Sequence, residues 1–254
     1  AFNTNGTKMF VCGNSSDAVY EYALTTGFDV STASFIDSFS VATQDTLPGG
    51  IAFNTTGTKM FIVGQQNDSV YEYALTTGFD VSTASYVDAF SVAGQEITPA
   101  GIAFNTDGTR MFVCGTTGDD INEYALSTGF DISTSIFTDA FSVAGQDTAP
   151  QGLTFNTDGT MMFMVGSTGG AVYKYTLSTG FDVSTATFVD SFSVASQDTV
   201  PTAVVFNTDG TRMFVTGAVG NDVNQYSTTL GTFATTVLAG QAISATTINM
   251  RNLT

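Results

Sequence analysis

The sequence predicts an all-β fold, a five-bladed β-propeller with four antiparallel strands per blade. Three observations carry this expectation. Phe2, Phe53, Phe104, Phe155 and Phe206 recur every 51 residues, each opening an Asn-Thr-x-Gly-Thr-x-Met-Phe run. The four prolines, Pro48, Pro99, Pro150 and Pro201, keep the same interval. No segment has an apolar period near 3.6 residues long enough for a helix. A period near 50 with several short strands per unit is what a radial β architecture produces.

The third copy shows the elements in order. Gly101-Ile102-Ala103-Phe104 is a short apolar run after a proline-containing loop, suited to an inner strand covered on both faces. Asn105-Thr106-Asp107-Gly108 supplies a turn in which Gly or Asp takes positive φ. Thr109 to Cys114 forms the second strand and Asp120 to Leu126 the third, joined by Thr116-Thr117-Gly118-Asp119. Ser127 to Thr134 is a longer connection, and Ile136 to Ala144 the fourth strand.

Because the phase never breaks, residues 1–254 read as one propeller domain. Its blades fall at about 1–46, 47–97, 98–148, 149–199 and 200–244, with 245–254 as a closing strand. The fifth copy keeps register through Tyr226, then loses the Gly-Phe-Asp connection. Gln241 to Met250 lies on Gln44 to Phe53, placing Ile248 on Ile51. The tail therefore reads as an inner strand that completes the first blade, which starts with only Ala1 and Phe2, and closes the ring. The alternative is a fragment of a longer array. An upstream segment, absent from this sequence, is compatible with a start inside a repeat.

Composition narrows the partners. The chain has 23 acidic and 6 basic residues, no His and no Trp, for a net charge of −17. Such a field repels phosphate backbones and anionic lipid, so neither nucleic acid nor a membrane surface is an expected partner. No apolar run of about 18 residues is present, so no membrane insertion is expected. Only 11% of residues are charged. The Ser, Thr, Asn and Gly that remain to carry solubility fit an extracellular, cell-surface or virion setting. Cys12 and Cys114 share one phase two repeats apart, so a ring holds them beyond the roughly 7 Å reach of a disulfide. They read as small buried hydrophobes.

Blade topology sorts the loops onto two faces. The first-to-second and third-to-fourth turns share one. There, Gly-Phe-Asp-Val/Ile-Ser-Thr repeats almost unchanged in four copies, at Gly27, Gly78, Gly129 and Gly180. Uniformity points to a structural role, with Gly for positive φ, Phe filling the blade interface and Asp bonding local backbone. Lys8, Lys59, Arg110 and Arg212 also share a phase, Met161 being the exception, and read as solvated partners of acidic turn residues such as Asp107 and Asp209.

The opposite face carries the most divergent segments, the second-to-third turns. These include Asn14, Asp17, Gln66, Asp68 and Asp119. Beside them run the inter-blade crossings with Gln44-Asp45, Gln95-Glu96, Gln146-Asp147 and Gln197-Asp198. Amides and carboxylates near Tyr20, Tyr71 or Tyr173 suit the vicinal hydroxyls and flat apolar face of a sugar. The competing reading is that each Gln-Asp pair caps its own loop internally.

Catalysis finds little support. The inner segments, such as Pro48 to Phe53, carry no ionisable group. There is no His to act as base or metal ligand, no Cys–His pair and no nucleophile elbow. No cofactor is expected. The remaining alternative is a carboxylate mechanism, or Ca²⁺ held among Asp45, Glu96, Asp147 and Asp198, although no run has calcium-loop spacing.

The run Asn105-Thr106-Asp107-Gly108-Thr109-Arg110-Met111-Phe112, followed by Asn122 to Thr134, resembles β-propeller repeats of bacterial, marine and phage-encoded surface or tail-associated proteins. The resemblance extends over residues 1 to about 226. It implies an extracellular or virion setting with attachment or structural roles, and it carries over no catalytic residue. A five-bladed ring is similar in architecture to the tachylectin-type lectins. The expected function is a non-enzymatic interaction module, binding a glycan or surface receptor through the divergent face. The alternative is a structural subunit, such as a capsid decoration or tail component, whose partners are neighbouring subunits.

Overall fold

The computed structural model describes residues 1–228 and 245–249. Its strands form five separate antiparallel sheets arranged as a ring, one sheet per repeat. Blade 1 has three strands, β1 (Lys8–Gly13), β2 (Ala18–Leu24) and β3 (Ala33–Ser40). Blade 2 runs from the axis outward through β4 (Pro48–Phe53), β5 (Lys59–Gly64), β6 (Ser69–Leu75) and β7 (Ala84–Ser91). Blade 3 repeats this with β8 (Pro99–Phe104), β9 (Arg110–Gly115), β10 (Asp120–Leu126) and β11 (Ser135–Ser142). Blade 4 contains β12 (Pro150–Phe155), β13 (Met161–Gly166), β14 (Ala171–Leu177) and β15 (Ala186–Ser193). Blade 5 contains β16 (Pro201–Phe206), β17 (Arg212–Gly217), β18 (Asp222–Ser227) and β19 (Ala245–Asn249).

The tail departs from the sequence expectation. Ala245–Asn249 is the outer strand of blade 5, antiparallel to β18 with Val223 opposite Ile248. It does not complete blade 1, whose inner position is marked only by a bridge between Phe2 and Met9. The reason is local. The fifth copy lacks the Gly-Phe-Asp connection that elsewhere leads into the outer strand, and this segment covers the edge of β18 instead. Residues 250–254 of the proposed closing strand lie outside the described residues.

Side chains close the ring instead. Phe2 packs against Phe214 of blade 5 at 4.6 Å and against Phe28 at 5.4 Å. The same three-ring contact joins blades 1 and 2 through Phe10, Phe53 and Phe79, at 4.6 and 5.4 Å. The core lies in these layers between sheets, as with Phe112, Cys114 and Ile121 of blade 3 against Met162, Met164 and Tyr175 of blade 4. Glycines let the inner strands approach one another. A Cβ on Gly49 would stand 2.6 Å from Ala100 O, and one on Gly101 2.7 Å from Gln151 O.

A clamp repeats between blades. Lys59 Nζ reaches Glu72 Oε1 at 2.7 Å within its own blade and donates to Phe130 O of the next at 2.6 Å. The other Glu72 oxygen accepts Ile132 N, also of the next blade, at 3.3 Å. Lys8–Glu21 and Arg110–Glu123 do the same, and Arg212 with Gln225 carries the clamp from blade 5 to Phe28 and Val30 of blade 1. Lys8, Lys59 and Arg110 thus meet a buried strand glutamate. The turn aspartates Asp107 and Asp209 instead accept from Thr109 and Thr211.

In the Gly-Phe-Asp connection it is Phe, not Gly, that takes positive φ, from 57° to 59° at Phe28, Phe79, Phe130 and Phe181. This backbone turns the Phe carbonyl toward the clamp. The preceding glycine serves a close approach, since a Cβ on Gly27 would lie 2.6 Å from Asn5 O. The aspartate caps a short 3₁₀ turn, as Asp131 does for Ile132–Thr134 by accepting from Ser133.

Candidate functional site

The face with the divergent turns is built on four buried carboxylates. Asp45, Glu96, Asp147 and Asp198 are at most 3% exposed. Asp45 accepts from Leu47 N at 2.8 Å in its own crossing and from Gln66 N and Asn67 N in the next turn, at 3.3 and 3.1 Å. Glu96 takes Thr98 N, Thr117 N and Gly118 N in the same way. Asp147 takes Ala149 N, Thr168 N and Gly169 N, and Asp198 takes Val200 N, Val219 N and Gly220 N. Each acid therefore pins a crossing to a second-to-third turn. The position demands a glycine at the end of the second strand, because a Cβ at Gly64, Gly115, Gly166 or Gly217 would enter the carboxylate.

The glutamines bridge blades. Gln44 Oε1 accepts from Tyr73 OH at 3.3 Å, and Gln95, Gln146 and Gln197 accept from Tyr124, Tyr175 and Tyr226 at the same distance. Burial pushes those phenols well above the ordinary tyrosine range, with neighbouring phenol or carboxylate charge adding to the shift. Tyr71 and Tyr173 are buried and donate to Asp45 and Asp147, while Tyr20 is half-buried. The structure thus places the proposed amide–carboxylate–tyrosine sets together, but faces them inward. The four acids do not meet one another: no group of three or more acidic or cysteine side chains arranged to hold a metal occurs among the described residues.

Asp17, Asp68 and Asp119 occupy the left-handed position of their turns, with φ of 50°, 50° and 55°. Asn221 and Gly170 take the same position in blades 5 and 4, so Asp, Asn and Gly recur there for conformational reasons. What remains exposed is the tip of each turn, Asn14 to Ser16, Gln66 and Asn67, Thr117, Thr168, and Ala218 with Val219. Leu47, Ile97 and Val219 add exposed apolar surface on this face. In blades 2 to 5 the variable side chains stand on a base pinned by the same kind of buried carboxylate.

Along the axis, a cavity of about 100 Å³ is bordered by Val11, Cys12, Gly50, Ile51, Ile102, Leu153 and Ala203, with no acidic or basic side chain in its lining. A shallower depression of about 250 Å³ on the uniform face is lined by Phe104, Phe155, Phe206, Asn156, Thr157 and Thr208. Both cysteines are free, as expected. Burial raises the Cys114 thiol to about 12, partly offset by hydrogen bonding from Gly101 N. Among the described residues no helix is long and apolar enough to cross a membrane.

No family model matches the chain, and no curated protein matches it. Solved structures do share its fold. A putative 6-phosphogluconolactonase from Bacteroides uniformis is 13% identical over 95% of this chain and 68% of its own length, with a TM-score of 0.54. A second protein so named, from Bacteroides fragilis, is 17% identical over 91% of this chain and 67% of its own, with a TM-score of 0.54. A functionally unknown protein from Desulfotomaculum acetoxidans is 12% identical over 91% of this chain, with a TM-score of 0.53. This chain spans 66% of that protein's length. At these identities the likeness is one of fold. The chain is a five-bladed β-propeller.

Proposed function

We propose that this propeller is a non-enzymatic interaction module that binds a glycan or surface receptor through the face bearing the second-to-third turns, in an extracellular, cell-surface or virion setting. The observation supporting this is the contrast between turn tips and turn bases. In blades 2 to 5 the base is pinned by a buried carboxylate with three backbone donors, while the exposed tips differ from blade to blade. A rigid scaffold presenting variable polar loops is a general arrangement for recognition. The sites are shallow and blade-repeated, so affinity builds through multivalency.

Enzymatic chemistry would need free acids or bases, and the rim carboxylates are occupied by backbone N–H groups. The lactonase names belong to the two Bacteroides proteins. A glycan array on the purified domain tests the binding reading, which expects binding to a defined sugar class that weakens when Gln66 and Asn67 are replaced by Ala. Silence across broad sugar classes would shift the reading to protein–protein contact. One observation favours that second reading. The outer strands expose Phe35 and Ile36, Tyr86 and Val87, Ile136 and Phe137, and Phe188 and Val189, giving four blades an apolar rim suited to a neighbouring subunit. Electron microscopy showing the chain in an assembled particle would decide for it.

A further inference from the structure

The third strands of the blades come in two kinds. Blades 1, 2 and 4 begin with a small residue and place a tyrosine two positions on: Ala18 and Tyr20, Ser69 and Tyr71, Ala171 and Tyr173. Blades 3 and 5 have an aspartate and an asparagine instead, Asp120 with Asn122 and Asp222 with Asn224. Residues two apart in a strand share a face, so the exchange alters one place, the space beneath the second-to-third turn.

Blade 4 shows what that space holds when tyrosine is present. The Tyr173 hydroxyl lies 3.4 Å from Asp147 Oδ2 and fills the point where a Cβ on Gly169 would stand. Asparagine is too short to reach it. In blade 3 the corresponding point, beside Gly118, is ringed by oxygen instead: Gln95 O at 3.5 Å, Glu96 Oε2 at 3.5 Å and Asp120 Oδ2 at 3.6 Å. In blade 5 the point beside Gly220 is 3.0 Å from Asp222 Oδ2 and 3.3 Å from Asp198 Oδ2.

Two further observations set these places apart from ordinary acidic clusters. Asn122 is 2% exposed and its Nδ2 has no hydrogen-bond partner among the described residues. Asp222 is 7% exposed and its Oδ1 likewise has none. Buried polar groups are normally satisfied, and buried charges are paired or bound to a metal. The clamp glutamates Glu21, Glu72 and Glu123 each have a Lys or Arg; these carboxylate pairs have no such partner among the ion pairs of the described residues. Amide oxygen and nitrogen exchange by a flip of the Asn side chain, so Asn122 can present an acceptor.

We propose that blades 3 and 5 each bind a hard divalent cation of the calcium class at the base of the second-to-third turn. Blade 3 supplies Glu96, Asp120, Asn122 and the Gln95 carbonyl, and blade 5 supplies Asp198, Asp222 and Asn224. Calcium accepts irregular sets of carboxylate, amide and carbonyl oxygens at about 2.3–2.6 Å, whereas magnesium demands near-octahedral geometry. The oxygens need only close by about an ångström around the ion to reach those distances. The ion does in these blades what the phenol does in blade 4, tying the third strand to the carboxylate that pins the turn.

The test uses CaCl₂ titrated calorimetrically into the purified chain after EDTA treatment, together with melting temperatures in calcium and in EDTA. The comparison is a chain in which both sites are rebuilt after blade 4, with D120A, N122Y, D222A and N224Y. The unaltered chain is expected to bind two calcium ions with dissociation constants at or below the roughly millimolar range of extracellular modules. At ten times the dissociation constant each ion shifts folding elevenfold, a rise of roughly 3–6 °C per site for a chain of this size. The rebuilt chain should melt at the same temperature in calcium and in EDTA. Should it fail to fold, D120N and D222N singly are each expected to remove one ion from the stoichiometry. No calcium binding at about 5 mM with equal melting temperatures, or calcium dependence that persists in the rebuilt chain, would overturn the proposal.

Discussion

Replacing Asp147 by alanine separates a scaffold carboxylate from a ligand-facing one. Its oxygens accept from Gly169 N at 2.7 Å, Ala149 N at 2.9 Å, Thr168 N at 3.3 Å and Tyr173 OH at 3.4 Å. Hydrogen bonds to a charged acceptor contribute about 1.5–3 kcal/mol each when short. The two short ones dominate, because the longer pair is weakened by distance. Thr168 is at the exposed tip and regains water, whereas Ala149 and Tyr173 remain partly or wholly buried. Asp147→Ala should therefore cost about 3–5 kcal/mol, or roughly 6–20 °C in melting temperature. Asp147→Asn keeps one acceptor oxygen and should lose about half as much. Urea unfolding followed by circular dichroism, with calorimetric melting, measures both. A loss below about 0.5 kcal/mol for the alanine variant would refute the structural assignment. If that variant also lost ligand binding, Asp147 would belong to the recognition surface.

The clamp predicts a graded series at Glu72. Glu72→Ala strips Lys59 and Ile132 N of their acceptor and should destabilise by about 1–3 kcal/mol, below the range for a fully buried pair because Lys59 is 32% exposed. Glu72→Gln copies Gln225, which still accepts Val30 N in blade 5, and should cost about 1 kcal/mol by chemical denaturation. Burial raises the thiol of Cys114 to about 12, so this fully buried cysteine should not react readily with a disulfide reagent near pH 8 until the chain unfolds. The hydroxyl and N–H of Thr160 hold the Asp158 carboxyl below its usual range, and Asp107 and Asp209 are held likewise by Thr109 and Thr211. A depressed folded pKa contributes stability above the unfolded value of about 3.9 and loses it as pH falls through the folded one. Melting curves should therefore fall on acidification, less steeply in a variant with all three changed to Asn. Glu123 acts with the opposite sign and in a higher window, since burial raises it and its contribution declines as pH rises from the unfolded value of about 4.3 through the raised folded one.

The periodic features were legible because they depend on local order. Asp120–Leu126 appears as expected to the residue, and the inner strands lie where the prolines and apolar runs place them. Asp45 lies beside Tyr71, but its direction depends on Gly64, which leaves room for the carboxylate to fold inward. Gly115, Gly166 and Gly217 repeat that signal beside Glu96, Asp147 and Asp198, whereas a Cβ on Gly13 of blade 1 would meet no described atom within 4 Å. The Phe28 set was missed for a different reason. A left-handed phenylalanine contradicts residue preference, and only the clamp cation and the three-ring packing hold it there. The tail misled because its register fits an inner strand, while the edge that it covers belongs to β18.

Because the copies are nearly identical, each blade serves as a control for the others, and their departures carry the information. The clamp shows how. It always runs forward, from the second and third strands of one blade to the Gly-Phe-Asp connection of the next. Blade 4 alone has Met161 for the cation and Lys174 for the glutamate, and the fifth copy alone lacks a Gly-Phe-Asp sequence to receive them. Giver and receiver are lost together. An incidental surface pair would have no reason to vanish where its partner in the following repeat is absent, so the two halves form one functional unit of the fold. Lys174 is left half-buried opposite Asp190, its ammonium lowered by desolvation, which that carboxylate partly offsets. The same logic gives weight to the joint exchange of small residue and tyrosine for aspartate and asparagine. It occurs as a pair in blades 3 and 5 and singly in none, as expected when two side chains serve one purpose.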